Sequence, residues 1–123
     1  MKTFTLDEAN SLLPQVEQLL DEMSLVRDRI VAGGADLESV LKHAGGNGGS
    51  KKSGEYILLL QRFNVCLSTL QDFGCELKDL DQGLVDFPSL RDGQIIYLCW
   101  KRGEEDIRFW HDLDSGFAGR QAL

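Results

Sequence analysis

The stretch QIIYLCWKRGEEDIRFWH, residues 94–111, decides the fold, because its apolar and polar residues stop recurring at helical spacing and begin to alternate. Two β-rich runs, Gln94 to Trp100 and Ile107 to His111, flank Arg102-Gly103-Glu104-Glu105. A two-residue turn led by Gly103 has the backbone twist that joins antiparallel strands. Just upstream, Leu84-Val85-Asp86-Phe87 is a third run, separated from the second by Pro88 and Asp92-Gly93. The reading is a three-stranded antiparallel meander. With Gly103-Glu104 as the turn, Trp100 faces Ile107, Leu98 faces Phe109 and Ile96 faces His111 on the core side. Cys99 then faces Arg108, Tyr97 faces Trp110 and Ile95 faces Asp112 on the other.

The residues before the meander are helical. Thr5 and Glu8 stand three apart as a capping box, with acidic side chains at the positive end of the helix dipole. From Leu6 to Ile30 apolar residues recur at steps of three and four, so one stripe runs to about residue 31. Pro14 removes an amide donor within that stripe and predicts a kink, or a break with a second helix starting at Pro14. A second apolar face from Glu55 to about Leu77 should pack antiparallel on the first. Leu58 and Leu59 widen it beyond what one partner helix covers. Between them, Asp36 to His43 reads as a short helix and 44–54 as a flexible glycine-rich connector. That connector lacks the strand and spacing of a phosphate-binding loop.

The expected architecture is therefore α+β and a single domain over 1–123. A helical hairpin over 5–80, kinked at Pro14, carries the connector 44–54, and a β unit over 83–123 follows, ending in an irregular tail. With 123 residues, one hydrophobic core is affordable and two are not. The net charge of −7 argues against nucleic acid as a partner, since phosphate binding needs a basic patch. Three cysteines, with no C-x-x-C pair, do not form a disulfide framework. No signal-like segment and no run of about 18 apolar residues is present, so a cytoplasmic location without membrane contact is expected.

Chemistry-bearing residues concentrate in the last third. Asp86, His111, Asp112 and Glu104 are suitable ligand types for a divalent transition metal. Glu104 falls about 23 Å from His111 along an extended strand and cannot share an ion with it. Asp112 points to the opposite face from His111 while the strand continues. Asp86 and His111 remain as the metal candidates, against the plainer account in which His111 closes the core edge. Tyr97, Arg108, Trp110, His111 and Arg120 are the candidates for binding a ligand or partner. Large rings with polar tips suit recognition, and Arg120 suits an anion, against the plainer account of a solvated or salt-bridged surface residue. Cys99 beside Arg108 is either an activated thiolate or an inert packed thiol.

At these residues the chain resembles a prokaryotic family known as domain of unknown function 2203. The resemblance lies in Phe4-Thr5-Leu6-Asp7-Glu8-Ala9-Asn10 with Leu12-Leu13-Pro14, and in Leu77-Lys78-Asp79. It continues through Gly83-Leu84-Val85-Asp86-Phe87-Pro88, Tyr97-Leu98-Cys99-Trp100-Lys101, Gly103-Glu104, Ile107, Trp110-His111 and Gly116-Phe117-Ala118-Gly119-Arg120-Gln121. It implies membership and carries over no activity, cofactor or catalytic residue. The residues support two readings. The first is a non-enzymatic interaction or structural module that self-associates into a homo-oligomer through its helices or binds a protein partner. The second is a small-molecule or divalent-metal-binding protein, enzyme or not, built on Asp86, Tyr97, Arg108, Trp110, His111 and Arg120.

Overall fold

The computed structural model describes residues 2–33 and 51–123. The short helix expected over 36–43 and most of the connector expected over 44–54 lie outside the described residues. Helix α1 (Leu6–Ala32) begins as the sequence dictates: Thr5 accepts from the Glu8 amide at 3.1 Å and Glu8 accepts from the Thr5 amide at 2.8 Å. Its stripe Ala9, Leu13, Val16, Leu20, Met23, Val26 and Ile30 is buried. The expected break at Pro14 does not occur, and one continuous helix passes through it. Pro14 lies on the exposed face, where water can reach the carbonyl that loses its amide partner.

Two consequences of the capping box can be measured. Thr5→Ala should cost about 1 kcal/mol in urea unfolding. The hydrogen bonds from Thr5 hold the Glu8 carboxyl below its ordinary value of 4.5. A carboxyl with a depressed folded value stabilises the fold above its unfolded value and loses that contribution as pH falls. The destabilisation by Glu8→Gln should therefore be full at neutral pH and shrink below about pH 4.5, and an unchanged difference at acid pH would contradict it.

Helix α2 (Lys51–Phe73) starts earlier than expected, its first four residues coming from the stretch read as connector. It also ends earlier. Gly74 has φ +99°, a conformation that stops a helix, and the next residues form a strand. The sheet has five antiparallel strands in chain order, not three: β1 (Glu76–Asp79), β2 (Leu84–Arg91), β3 (Gln94–Lys101), β4 (Phe109–His111) and β5 (Gln121–Ala122). Asp92 and Gly93, with φ +51° and +79°, make the two-residue turn between β2 and β3.

Pro88, read as punctuation, sits inside β2 opposite Tyr97. Strand β1 pairs with β2 only as far as Asp86, so beyond that point β2 needs no ladder donor on its outer side. The N-terminal segment docks there instead, the Phe4 amide donating to the Pro88 carbonyl at 2.7 Å and Ser89 Oγ to the Phe4 carbonyl at 2.6 Å.

The helices pack on one face of the sheet. Val85, Phe87, Ile96, Leu98 and Trp100 join the buried helical stripe in one core with Phe63 and Leu70. Their alternation along β2 and β3 agrees with the expected core face. The register of β4 does not. The structure pairs Tyr97 with His111, Leu98 with Trp110 and Cys99 with Phe109, one residue away from the expected register.

The cause is the connection between β3 and β4. Glu104 closes a turn onto Lys101 through its amide (3.0 Å) and its side chain (2.7 Å), but pairing does not resume at once. Residues 105–108 run irregularly so that Ile107 can enter the core, its amide held by Asn10 Oδ1 at 2.8 Å. A shift of one residue exchanges the two faces of a strand. Phe109 and His111 therefore lie beside Cys99 and Tyr97, while Trp110 turns to the helix side.

Candidate functional site

The turn at Asp92-Gly93 fixes the β2–β3 register, and that register sets Asp86 directly opposite Cys99. The displaced β4 brings His111 to the same face, away from the helices. The residues after His111 then fold over it. The Asp112 carboxylate accepts from the amides of Asp114 (3.0 Å) and Ser115 (2.8 Å), which curls the chain back. A short 3₁₀ turn, Phe117–Gly119, leads into β5. Under this cover Asp86, Cys99 and His111 are 3%, 1% and 2% exposed, a burial that polar groups on an outer sheet face reach only when something encloses them.

Arg120 fastens the covering segment. Its Nη2 donates to the Cys99 carbonyl at 3.2 Å and to Glu104 Oε1 at 2.8 Å. The guanidinium stacks on the rings of Phe109 (4.0 Å) and Phe117 (4.7 Å). It thus forms a largely enclosed ion pair, and its charge is matched by Glu104. Arg120→Ala should destabilise the protein by about 2 kcal/mol, since it removes a charged hydrogen bond and buried stem packing together. Thermal denaturation checks this, with a loss below a few tenths of a kcal/mol as the contrary result.

At the base of the site, His111 Nδ1 lies 2.7 Å from the Asp112 carbonyl. A carbonyl only accepts, so Nδ1 carries the proton and Nε2 presents its lone pair in the neutral ring. That nitrogen points at Asp86 Oδ2, 3.0 Å away. A lone pair facing a carboxylate at this distance needs a positive species between them, either a proton or a metal cation. Cys99 Sγ completes the group: the three donor atoms lie within 4.8 Å of one another, the one such trio among the described residues.

Burial raises the Asp86 carboxyl above its usual range against the opposing pull of His111. It also pushes the Cys99 thiol up to about 12, helped by the neighbouring Asp86. Arg108 does not activate this thiol, since it is exposed and bonds Asp106 at 2.6 Å.

Nitrogen, sulfur and oxygen donors together suit a borderline-soft divalent ion such as zinc or cobalt. A tetrahedral site with bonds near 2.1 Å has ligand edges of about 3.4 Å. The Asp86–His111 edge is already that short, and the widest separation would close by only about 1.4 Å. The hydrogen bond from His111 Nδ1 to a backbone carbonyl is the orienting contact that ligating histidines make. Three protein donors leave a fourth corner. The trio forms part of the wall of a cavity of about 280 Å³, closed elsewhere by Lys78, Leu113 and Phe117.

Of the residues singled out in the sequence, Asp86, Tyr97 and His111 come together, with the Tyr97 ring 5.4 Å from that of His111. The neighbouring Glu76 raises the Tyr97 hydroxyl to about 12, and Lys78 lies 4.8 Å from its ring. Trp110 and Arg108 are elsewhere: Trp110 packs against the core with Arg91 4.5 Å over its ring. Cys99 was not read as a ligand. The signal was present, since a two-residue turn at Asp92-Gly93 pairs Asp86 with Cys99 by counting outward.

A larger concave surface, about 840 Å³, lies between α1 and α2 and carries no such donor group. No helix among the described residues is long and apolar enough to cross a membrane. A family model described as uncharacterized conserved protein, DUF2203, matches residues 2–123. No curated protein and no solved structure matches the chain.

Proposed function

The chain belongs to the uncharacterized conserved protein family DUF2203, and we propose that it is a metal-binding protein whose ion is held by Asp86, Cys99 and His111. The ion is a divalent transition metal of the zinc or cobalt type. Its fourth position faces the cavity, where a water or a small ligand completes the shell. The observation that carries this reading is the orientation of His111: Nδ1 is committed to the Asp112 carbonyl, and Nε2 is aimed at a buried carboxylate beside a thiol. Among oxygen-only alternatives, calcium and magnesium fit poorly, because each takes six or more oxygen ligands and avoids sulfur.

Cobalt(II) added to chelator-treated protein tests the reading. Bound through Cys99, it should give a thiolate-to-metal band in the near ultraviolet and d–d bands of tetrahedral intensity, and zinc should erase both. Cys99→Ser should remove the first band, and His111→Ala should abolish binding. A metal at one hundred times its dissociation constant should stabilise the fold by about 2.7 kcal/mol. Unchanged spectra together with an unchanged melting temperature would overturn the proposal.

The pH dependence has a defined sign. The metal-free thiol keeps its proton throughout the neutral range, and only the thiolate ligates. Binding must therefore release a proton. The apparent affinity should rise about tenfold per pH unit for each proton displaced, and calorimetry in buffers of different ionisation enthalpy counts those protons. An affinity flat with pH would exclude Cys99 as a ligand.

A further inference from the structure

The metal centre makes no use of the outer surface of the helical pair. Leu58 and Val65 are 63% and 66% exposed there, although both are large and apolar. They stand seven residues apart on α2 and so share one stripe. They line the groove between α1 and α2, together with Glu22 and Arg29 from α1 and Glu55 and Arg62 from α2.

The charges decide what fits this groove. Arg62 pairs with Glu22 at one end, and Arg29 and Glu55 line the other. Two positive and two negative side chains leave the strip neutral on a chain whose net charge is −7. A strongly basic partner would gain more on the acidic remainder of the surface, and an acidic one gains nothing here. A second copy carries the same −7 and repels the first everywhere except where the local charge balances.

The spacing also suits a copy of itself, since Glu22 to Arg29 and Glu55 to Arg62 both span seven residues on antiparallel helices. A two-fold axis across the groove sets the Glu22–Arg62 end of each copy over the Arg29–Glu55 end of the other. Every charge then meets its opposite, and Leu58 of each copy lies over Leu59 of the other beside the axis, with Val65 toward one margin of the contact. We infer that this helical face is the interface of a two-fold homodimer. The groove shares no lining residue with the metal cavity, so the dimer keeps both metal sites open.

Sedimentation velocity over a concentration series tests this on the full chain, with a monomer of 13.7 kDa as the reference. A dimer is expected, and Leu58→Glu with Val65→Glu should return it to monomer with helical circular dichroism and cobalt binding unchanged. Leu58→Ser, the milder change, should raise the dissociation constant about 30-fold, the effect of a central apolar anchor. A monomeric parent protein at its solubility limit would overturn the inference. So would a dimer that survives both glutamates, which would place the contact elsewhere.

Discussion

Asp86→Ala in metal-free protein should lower the free energy of unfolding by about 3 kcal/mol, where the costs of an unpaired buried polar group and of a broken buried ion pair overlap. The side chains of Asp86 and His111 are 4% and 2% exposed, so solvent does not soften the loss. The companion experiment replaces both partners. Asp86→Leu with His111→Leu removes the buried charged pair and leaves apolar groups of similar size, and it should recover most of the lost stability. Urea denaturation with a chelator present measures all three proteins. If the pair existed to hold the fold, the double variant would be as weak as the single one. If it exists to hold an ion, the double variant is stable and binds no cobalt.

Trp100→Ala should cost about 4 kcal/mol, the scale on which large aromatic side chains are lost from a packed core. Trp100 is 1% exposed, and its Nε1 donates to the Glu104 carbonyl at 2.9 Å. The ring thus fills the core and anchors the loop that sets the β4 register. Against a typical domain stability of 5–15 kcal/mol this is a large share. Trp100→Phe keeps most of the volume and drops the hydrogen bond, so it should cost about 1–2 kcal/mol. Equal losses for the two variants would mean that packing contributes little there.

These residues also mark what could be read from the sequence. Helix α1 was legible because its capping box and its stripe agree, and the β2–β3 turn because Asp92-Gly93 admits one geometry. Strand β1 was not, because Glu76 to Asp79 is too short to show alternation and Leu77 extends the helical period by coincidence. Strand β5 has two exposed residues and forms only because β4 offers an edge. The β4 register was misread for a physical reason. Ile107 was counted as a strand residue, yet its packing with Asn10 and the core takes it out of the ladder. Asp86 and His111 were found as residue types and Cys99 could have been counted from the β2–β3 turn, while the absence of Arg108 and Trp110 from the cavity depended on the β4 register.

The length of the chain between Lys101 and Phe109 therefore governs which chemistry the sheet presents. A tight Gly103-Glu104 hairpin with every residue kept and Ile107 drawn into the ladder would slide β4 by one residue. Trp110 would then stand beside Tyr97, and His111 would turn toward the helices, with no ligand substituted. The same strand residues would encode a plain apolar filling in place of an ion site. Relatives of this protein can thus be sorted by a ruler as well as by their side chains. A chain that keeps the aspartate, cysteine and histidine and closes this loop one residue shorter, as a tight hairpin, retains the same pairs and should keep the metal.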